Sequence, residues 1–296
     1  MADQSVAPAK VRKAVILAAG YGTRFLPATK AVPKEMLPLV DRPVIQYIVE
    51  EAVAAGLDHI VMVTSAGKRS IEDFFDYEPD LEQALAQRGK QEQLQELRSL
   101  VTLAHMTFVR QKERLGNGHA VLIARPWLGD EPFALYFPDD VIVHDVPATR
   151  QLLDVYEEFG RSVVAVQEVP PQDIELYGVV DAEPVAPRLY RIKGIIEKPP
   201  RHQAPSNLAT VGRFVLTPTV FQALEETPPG RQGEIWLMDA LDRLARREPV
   251  YACQYQGRRF DTGRPIGLLT ASISLALDRE DIGPDLKAYL RSLRLT

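Results

Sequence analysis

The apolar run from Ala14 to Ala19 has no polar alternation and ends at a glycine, which predicts a strand buried on both faces. Pro43 sits where a helix would begin. Ile45, Ile48, Val49, Ala52 and Ala55 then fall on one face, and Gly56 stops the helix. His59 to Thr64 is the next buried strand, and the strand–helix–strand order implies a parallel pair with a right-handed crossover. Leu81 to Leu100, rich in Glu, Gln, Leu and Arg, predicts an exposed helical excursion with few core residues. Further strands are expected at Met106–Arg110, Phe133–Phe137, Val163–Gln167, Gly178–Asp181, Leu189–Ile196 and Thr210–Leu216. Helices are expected at Gly118–Arg125, after Thr217-Pro218 with the threonine as cap, and at Glu234–Arg247 and Ile266–Leu277. Leu286–Leu293 predicts a last helix in a closing segment, 280–296.

Alternating strands and helices make this an α/β chain. Met1 to Lys10 is polar and rich in small residues, which predicts a frayed tail. Pro199 to Pro205 is too short a loop to divide the chain, and no repeat is visible. The expectation is one domain over 11–296, on a mixed, mostly parallel sheet with its site at the carboxyl ends of the central strands.

Composition narrows the classes. The chain has 296 residues, 46% of them hydrophobic, enough for a sizeable core. Its net charge of −5 argues against general nucleic-acid binding, though a locally basic pocket for anions remains open. Cys253 is the only cysteine, so there is no intramolecular disulfide and no thiolate zinc cluster. The five histidines show no metal-ligand spacing. No apolar run reaches membrane-spanning length, and Met1 to Lys10 lacks the apolar core of a signal peptide, so a cytoplasmic location is expected.

The candidate chemistry begins after the first strand. Gly20 and Gly22 lack side chains, so backbone N–H groups can approach a phosphate there, and Arg24 and Lys34 bring cations to the same strand end. Phe25 stands where the dinucleotide fingerprint has its third glycine, and no P-loop Gly-Lys-Ser/Thr occurs. Read alone, Gly20 to Arg24 also fits a tight turn capped by surface charges. Likewise Asp139-Asp140 fits a Mg²⁺ site or an aspartate turn. Gln111, a donor and acceptor, fits a base-reading group or a solvated side chain. Glu197-Lys198-Pro199 fits a sugar-phosphate site or a charged turn, and Glu234 a site acid or a helix-capping charge.

The longer string Gly20-x-Gly22-Thr23-Arg24 with Pro33-Lys34-Glu35-Met36-Leu37-Pro38 resembles the signature of sugar-nucleotide pyrophosphorylases, and matching segments recur to about Gly267. The resemblance implies a Rossmann-like nucleotidyltransferase fold with helices on both faces of the sheet. The excursion at Leu81–Leu100 is similar to that of the family's uridylyltransferase branch, which makes UDP-glucose and pyrophosphate from UTP and glucose 1-phosphate. A thymidylyltransferase, another hexose-1-phosphate nucleotidyltransferase, a sugar-nucleotide-dependent glycosyltransferase and a catalytically silent regulatory subunit are the alternatives.

By this resemblance Arg24, Lys34 and Lys198 are catalytic. Ala18, Ala19, Gly20, Gly22, Thr23, Glu35, Gln111, Gly118 and Asp139 hold the nucleotide, and Gly178, Glu197, Lys198, Val211 and Glu234 the sugar phosphate. Asp139 binds Mg²⁺, Asp261 of Phe260-Asp261-Thr262-Gly263 shares it, and Asp140 stands behind. A homo-oligomer, dimer or tetramer, is also implied. Two segments depart from the family pattern: Lys112–Leu115 in the base loop, and Trp236 and Met238 in place of Gln and Thr.

Overall fold

The computed structural model describes residues 7–230 and 233–293. The expected tail therefore lies outside the described residues as far as residue 6, and the last three residues of the expected closing segment lie outside them too. Residues 7–10 are irregular, but the Tyr156 hydroxyl donates to the Ala9 carbonyl at 2.9 Å and Val11 is buried.

The chain opens with β1 (Lys13–Leu17), then a short hairpin of β2 (Pro38–Leu39) and β3 (Arg42–Pro43). Helix α1 (Val44–Ala54) starts after Pro43 and buries Ile45, Ile48, Val49 and Ala52 along its expected face. Strand β4 (His59–Thr64) pairs parallel with β1, Lys13 opposite His59. The excursion is a helical hairpin, α3 (Pro79–Gln87) and α4 (Gln91–Val101), preceded by the short α2 (Arg69–Phe74). Leu94 is its buried side chain, and Arg98 ties α4 to Glu82 of α3 at 2.8 Å.

After β5 (His105–Arg110) come α5 (Asn117–Leu128), β6 (Phe133–Tyr136), β7 (Asp140–Val143), α6 (Ala148–Phe159) and β8 (Val163–Glu168). A long antiparallel pair follows, β9 (Gly178–Ala186) and β10 (Leu189–Glu197), then β11 (Leu208–Leu216), buried throughout. The chain ends with α7 (Thr219–Glu225), α8 (Leu237–Ala245), β12 (Tyr251–Gln254), β13 (Arg258–Asp261), α9 (Pro265–Asp278) and α10 (Gly283–Ser292).

Nine strands form one mixed sheet in the order β5-β4-β1-β6-β11-β8-β12-β10-β9. Strands β5, β4, β1 and β6 run parallel, whereas β11 is antiparallel to β6 and β8, and β10 to β9 and β12. Alternate residues of each strand feed two apolar layers. Ala14 and Ile16 join one with α1, α6 and Ala271 of α9; Val15 joins the other with α5, α7 and α8. Cys253 of β12 is buried, and burial pushes its thiol up to about 11. Off the sheet, β13 pairs with β7 and sets Asp261 opposite Asp140. Among the described residues no helix is long and apolar enough to cross a membrane.

Two helix starts differ from the sequence expectation. Helix α7 begins at Thr219 and is preceded by Pro218, with no side-chain cap; the Thr217 hydroxyl instead bonds Ser162 Oγ at 2.9 Å and Thr219 Oγ1 at 2.7 Å. Helix α8 begins at Leu237, three residues after Glu234. Ile235 N–H donates to Leu115 O and Gly118 N–H to Ile235 O, so this backbone is bonded to another segment and cannot coil. Asn117 Oδ1 then accepts the Leu237 N–H, capping α8 from a distance in sequence.

Candidate active site

Two cavities of about 530 and 200 Å³ open where β1, β5, β6 and β10 end, and they share Asn117, Phe137, Asp139 and Trp236 as walls. The larger is floored by the turn after β1. Gly22 has φ 69°, and a Cβ there would lie 3.2 Å from Lys34 Cβ, so glycine is required twice over. The turn is thereby folded over Lys34, whose Nζ lies 2.9 Å from Asp139 Oδ2. Burial favours neutral Lys34, but Asp139 and Glu35 outweigh it and raise its pKa. Burial pushes the Asp139 carboxyl up, and Lys34 and Arg24 overcome that and hold it below the ordinary carboxylate range.

Ala19, Gly20, Gly22, Thr23, Lys34, Gln111 and Asp139 are brought together in the lining of this cavity. Gln111, at the end of β5, is buried; its Nε2 donates to Gly116 O at 3.1 Å, which leaves Oε1 to accept.

The smaller cavity gathers Gly178, Glu197, Lys198, Val211, Asp261 and Arg24. A Cβ at Gly178 would lie 2.8 Å from Thr210 Oγ1 and 3.1 Å from Glu197 Oε2, so only glycine keeps that wall open. Burial raises the Glu197 carboxyl, Lys198 opposing and Asp239 adding. Lys198 has φ 47°, a conformation rare outside glycine; its N–H donates to Tyr177 O at 3.0 Å, and its Nζ sits 5.1 Å from the Trp236 ring centroid. Trp236 thus offers the lysine an aromatic seat, and Met238 packs beneath Gly178.

Two carboxylates converge between the cavities. A Cβ on Gly263 would come within 2.6 Å of Asp139 Oδ2 and 3.1 Å of Asp261 Oδ1. Burial raises the Asp261 carboxyl against the pull of Arg259, and the charges of Asp140 and Asp139 raise it further. A cation there would relieve that repulsion. Among the described residues no three His, Cys, Asp or Glu side chains are grouped to hold an ion. Two carboxylates beside an anion pocket suit Mg²⁺, which takes the rest of its shell from phosphate and water. Asp140 lines the smaller cavity with its carboxylate already engaged, accepting from Gly212 N–H at 2.8 Å and from Arg259 at 2.5 Å.

Four expected ligands sit elsewhere. Ala18 is buried behind the turn, its N–H donating to Val63 O at 2.8 Å. Glu35 turns away from both cavities to pair with buried Lys68 at 2.6 Å, leaving its Oε1 with no partner among the described residues. Burial lowers the Lys68 pKa despite Glu35. Gly118 faces the protein, because a Cβ there would lie 2.8 Å from Ile235 O and from Leu224 Cδ2. Glu234 lines the larger cavity, not the sugar-side one, since the late start of α8 leaves it against Gly116. Arg24 stands on the smaller side, donating to Gly263 O at 3.3 Å.

Sequence reasoning missed Arg114 and Arg259. Arg114 stacks 3.7 Å above the Tyr21 ring and donates to Ala19 O at 3.0 Å and Ser65 Oγ at 2.9 Å, strapping the glycine turn to the base loop. The only signal for it was the departure of Lys112–Leu115 from the family pattern. Arg259 lines the smaller cavity and reaches the Tyr177 hydroxyl at 3.3 Å.

A family model described as nucleotidyl transferase matches residues 13–276. A Bacillus subtilis (strain 168) protein named UTP–glucose-1-phosphate uridylyltransferase is 47% identical over 284 residues, 96% of this chain and 97% of its own. A Staphylococcus epidermidis protein of the same name is 48% identical, over 96% of this chain and 99% of its own. Among solved structures, a UDP-glucose pyrophosphorylase complexed with UDP-glucose superposes with a TM-score of 0.83 at 42% identity, covering 91% of this chain and 100% of that one. A UTP-bound enzyme of the same kind from Acinetobacter baumannii superposes with a TM-score of 0.89 at 39% identity, covering 96% and 100%.

Proposed function

The chain belongs to the nucleotidyl transferase family, and from that premise we infer that it transfers the uridylyl group of UTP to glucose 1-phosphate, giving UDP-glucose and pyrophosphate. The observation that carries this reading is Asp139 at the junction of two cavities, with Lys34 on the larger side and Arg24 and Lys198 on the smaller. Such a cleft suits two anions brought end to end.

In this reading UTP occupies the larger cavity, its phosphates on the Ala19–Thr23 turn and Lys34. Gln111 Oε1 accepts the uracil N3–H, a donor that cytosine lacks. Glucose 1-phosphate occupies the smaller cavity, its hydroxyls on Glu197 and its phosphate on Lys198 and Arg24. A phosphate oxygen attacks the α-phosphorus of UTP in line with departing pyrophosphate. That oxygen is largely ionised at neutral pH, because the second phosphate pKa is about 6, so no general base is needed. What remains is to hold two repelling anions together and to neutralise the charge that develops. A divalent cation is the usual counter-charge in nucleotidyl and phosphoryl transfer; we take it as Mg²⁺ on Asp139 and Asp261, supplying charge neutralisation.

We further propose that residues 11–296 act as one domain in the cytoplasm. A homo-oligomer, dimer or tetramer, is consistent with exposed Ile266, Leu269 and Ile273 on α9. Pyrophosphate release measured across UTP, dTTP and CTP with several hexose 1-phosphates tests the assignment. UTP with glucose 1-phosphate should give the highest kcat/KM, and a faster pair would overturn it.

A further inference from the structure

We infer that Arg213, which lines neither half of the cleft, is the positioning residue that holds the Asp139 turn in its working shape. Arg213 lies within β11 and is fully buried. Its Nη1 donates to Phe137 O at 3.2 Å and Gly212 O at 3.0 Å, and its Nη2 to Asp140 O at 2.6 Å. Nη2 and Nε also hold the Glu51 carboxylate, at 2.7 and 3.0 Å. Phe137 and Asp140 are the first and last residues of the turn that carries Asp139. One planar group therefore spans that turn and fixes both ends.

The other contacts give the clamp a frame. Glu51 belongs to α1 and also accepts from Thr149 N–H and Oγ1 at the start of α6, at 3.2 and 2.8 Å. Two helices and β11 thus meet at one buried charge pair beneath the catalytic turn. Such a pair is weak as a stability device, since matched apolar residues often serve as well. Its particular contribution is geometric: the guanidinium offers donors in a rigid fork, whereas a lysine offers one point of charge. The carboxylate it steadies lies between the two anion pockets, where a shift of about 1 Å can cost on the order of a hundredfold in rate.

This proposal rests on the reading of Asp139 given above, so its test separates the two. Arg213→Lys keeps the charge without the fork, and Arg213→Met with Glu51→Gln removes the charge pair together. Each is assayed by pyrophosphate release, by Mn²⁺ binding in the presence of UTP read by electron paramagnetic resonance, and by thermal melting. Rates are taken per folded molecule, well below the melting point. Both variants should lose about ten- to a hundredfold in kcat, keep the KM for glucose 1-phosphate within about twofold, and bind Mn²⁺ more weakly. A folded double variant with wild-type kcat would overturn the role of Arg213. Unchanged Mn²⁺ binding in Asp139→Asn would overturn the metal reading and leave the kcat test of Arg213 standing.

Discussion

The larger cavity is floored by an exposed turn, whereas the smaller is walled mainly by buried residues of β9 and β11. Tyr21 and Thr23 are exposed on the first side, and Gly178, Val211 and Gly212 are buried on the second. The larger cavity is thus roomy and offers backbone N–H groups and a few polar side chains. That suits a long, highly charged ligand bound by its phosphates. The smaller cavity is tight, with Gly178 leaving no space for a methyl group and Glu197 partly buried beside it. It suits a compact ligand recognised by shape and by its hydroxyls. Selection for the sugar should therefore rest on rigid walls, and selection for the nucleotide on a small number of side-chain contacts.

Asp139 belongs to both halves, so its loss should erase the contrast. Asp139→Asn deletes charge at nearly constant volume and should lower kcat on the order of a hundredfold to a thousandfold, as removal of an electrostatic catalytic contact does. Steady-state rates at low and high Mg²⁺ check it, and near-normal turnover at low Mg²⁺ would rule out the assignment.

A reciprocal pair of variants sharpens the contrast. Lys198→Ala should raise the KM for glucose 1-phosphate far more than that for UTP, whereas Gln111→Ala should weaken UTP by about 1–3 kcal/mol and erode its preference over CTP. If each variant shifted both substrates alike, the two halves would not be separate recognition sites.

The smallest effect is one of pH. A carboxyl raised by burial favours its protonated form in the folded protein, so Glu197 contributes most stability in acid. That contribution is lost as pH rises through its raised folded value. Glu197→Gln should therefore melt higher than wild type at neutral pH, and the gain should vanish below the ordinary carboxylate range. In wild type the KM for glucose 1-phosphate should rise as pH falls through the same value, with no such limb in the variant. Parallel melting profiles for the two proteins would contradict the burial argument.

The turn after β1 was readable from sequence because Gly20, Gly22 and Lys34 lie within one short segment, although Arg24 of the same segment reaches the smaller cavity instead. Asp139 and Lys198 were readable as strand-end residues. The errors have a common cause. Gly118 and Glu234 depend on how 115–118 bonds to Ile235, an approach between segments more than a hundred residues apart. Glu35 is drawn away by Lys68, and nothing near Glu35 in sequence announces that partner. Arg213 and Arg259 act on Asp140 and its turn from β11 and β13, so their roles exist only once the sheet is assembled. Helix α6 and strand β12 were missed, although Leu152, Leu153 and Tyr156 give α6 a clear buried face.

The state of Cys253 has a practical side. It is the only sulfhydryl in the chain, and burial keeps it protonated far above neutral pH, so little thiolate is available to alkylating or oxidising agents. The catalyst should pass through air or maleimide with its turnover intact. A second cysteine engineered onto an exposed position, such as the α3–α4 hairpin, would then be the one site that takes a fluorophore or spin label. The native sequence is in effect already a cysteine-light background for distance measurements across the cleft.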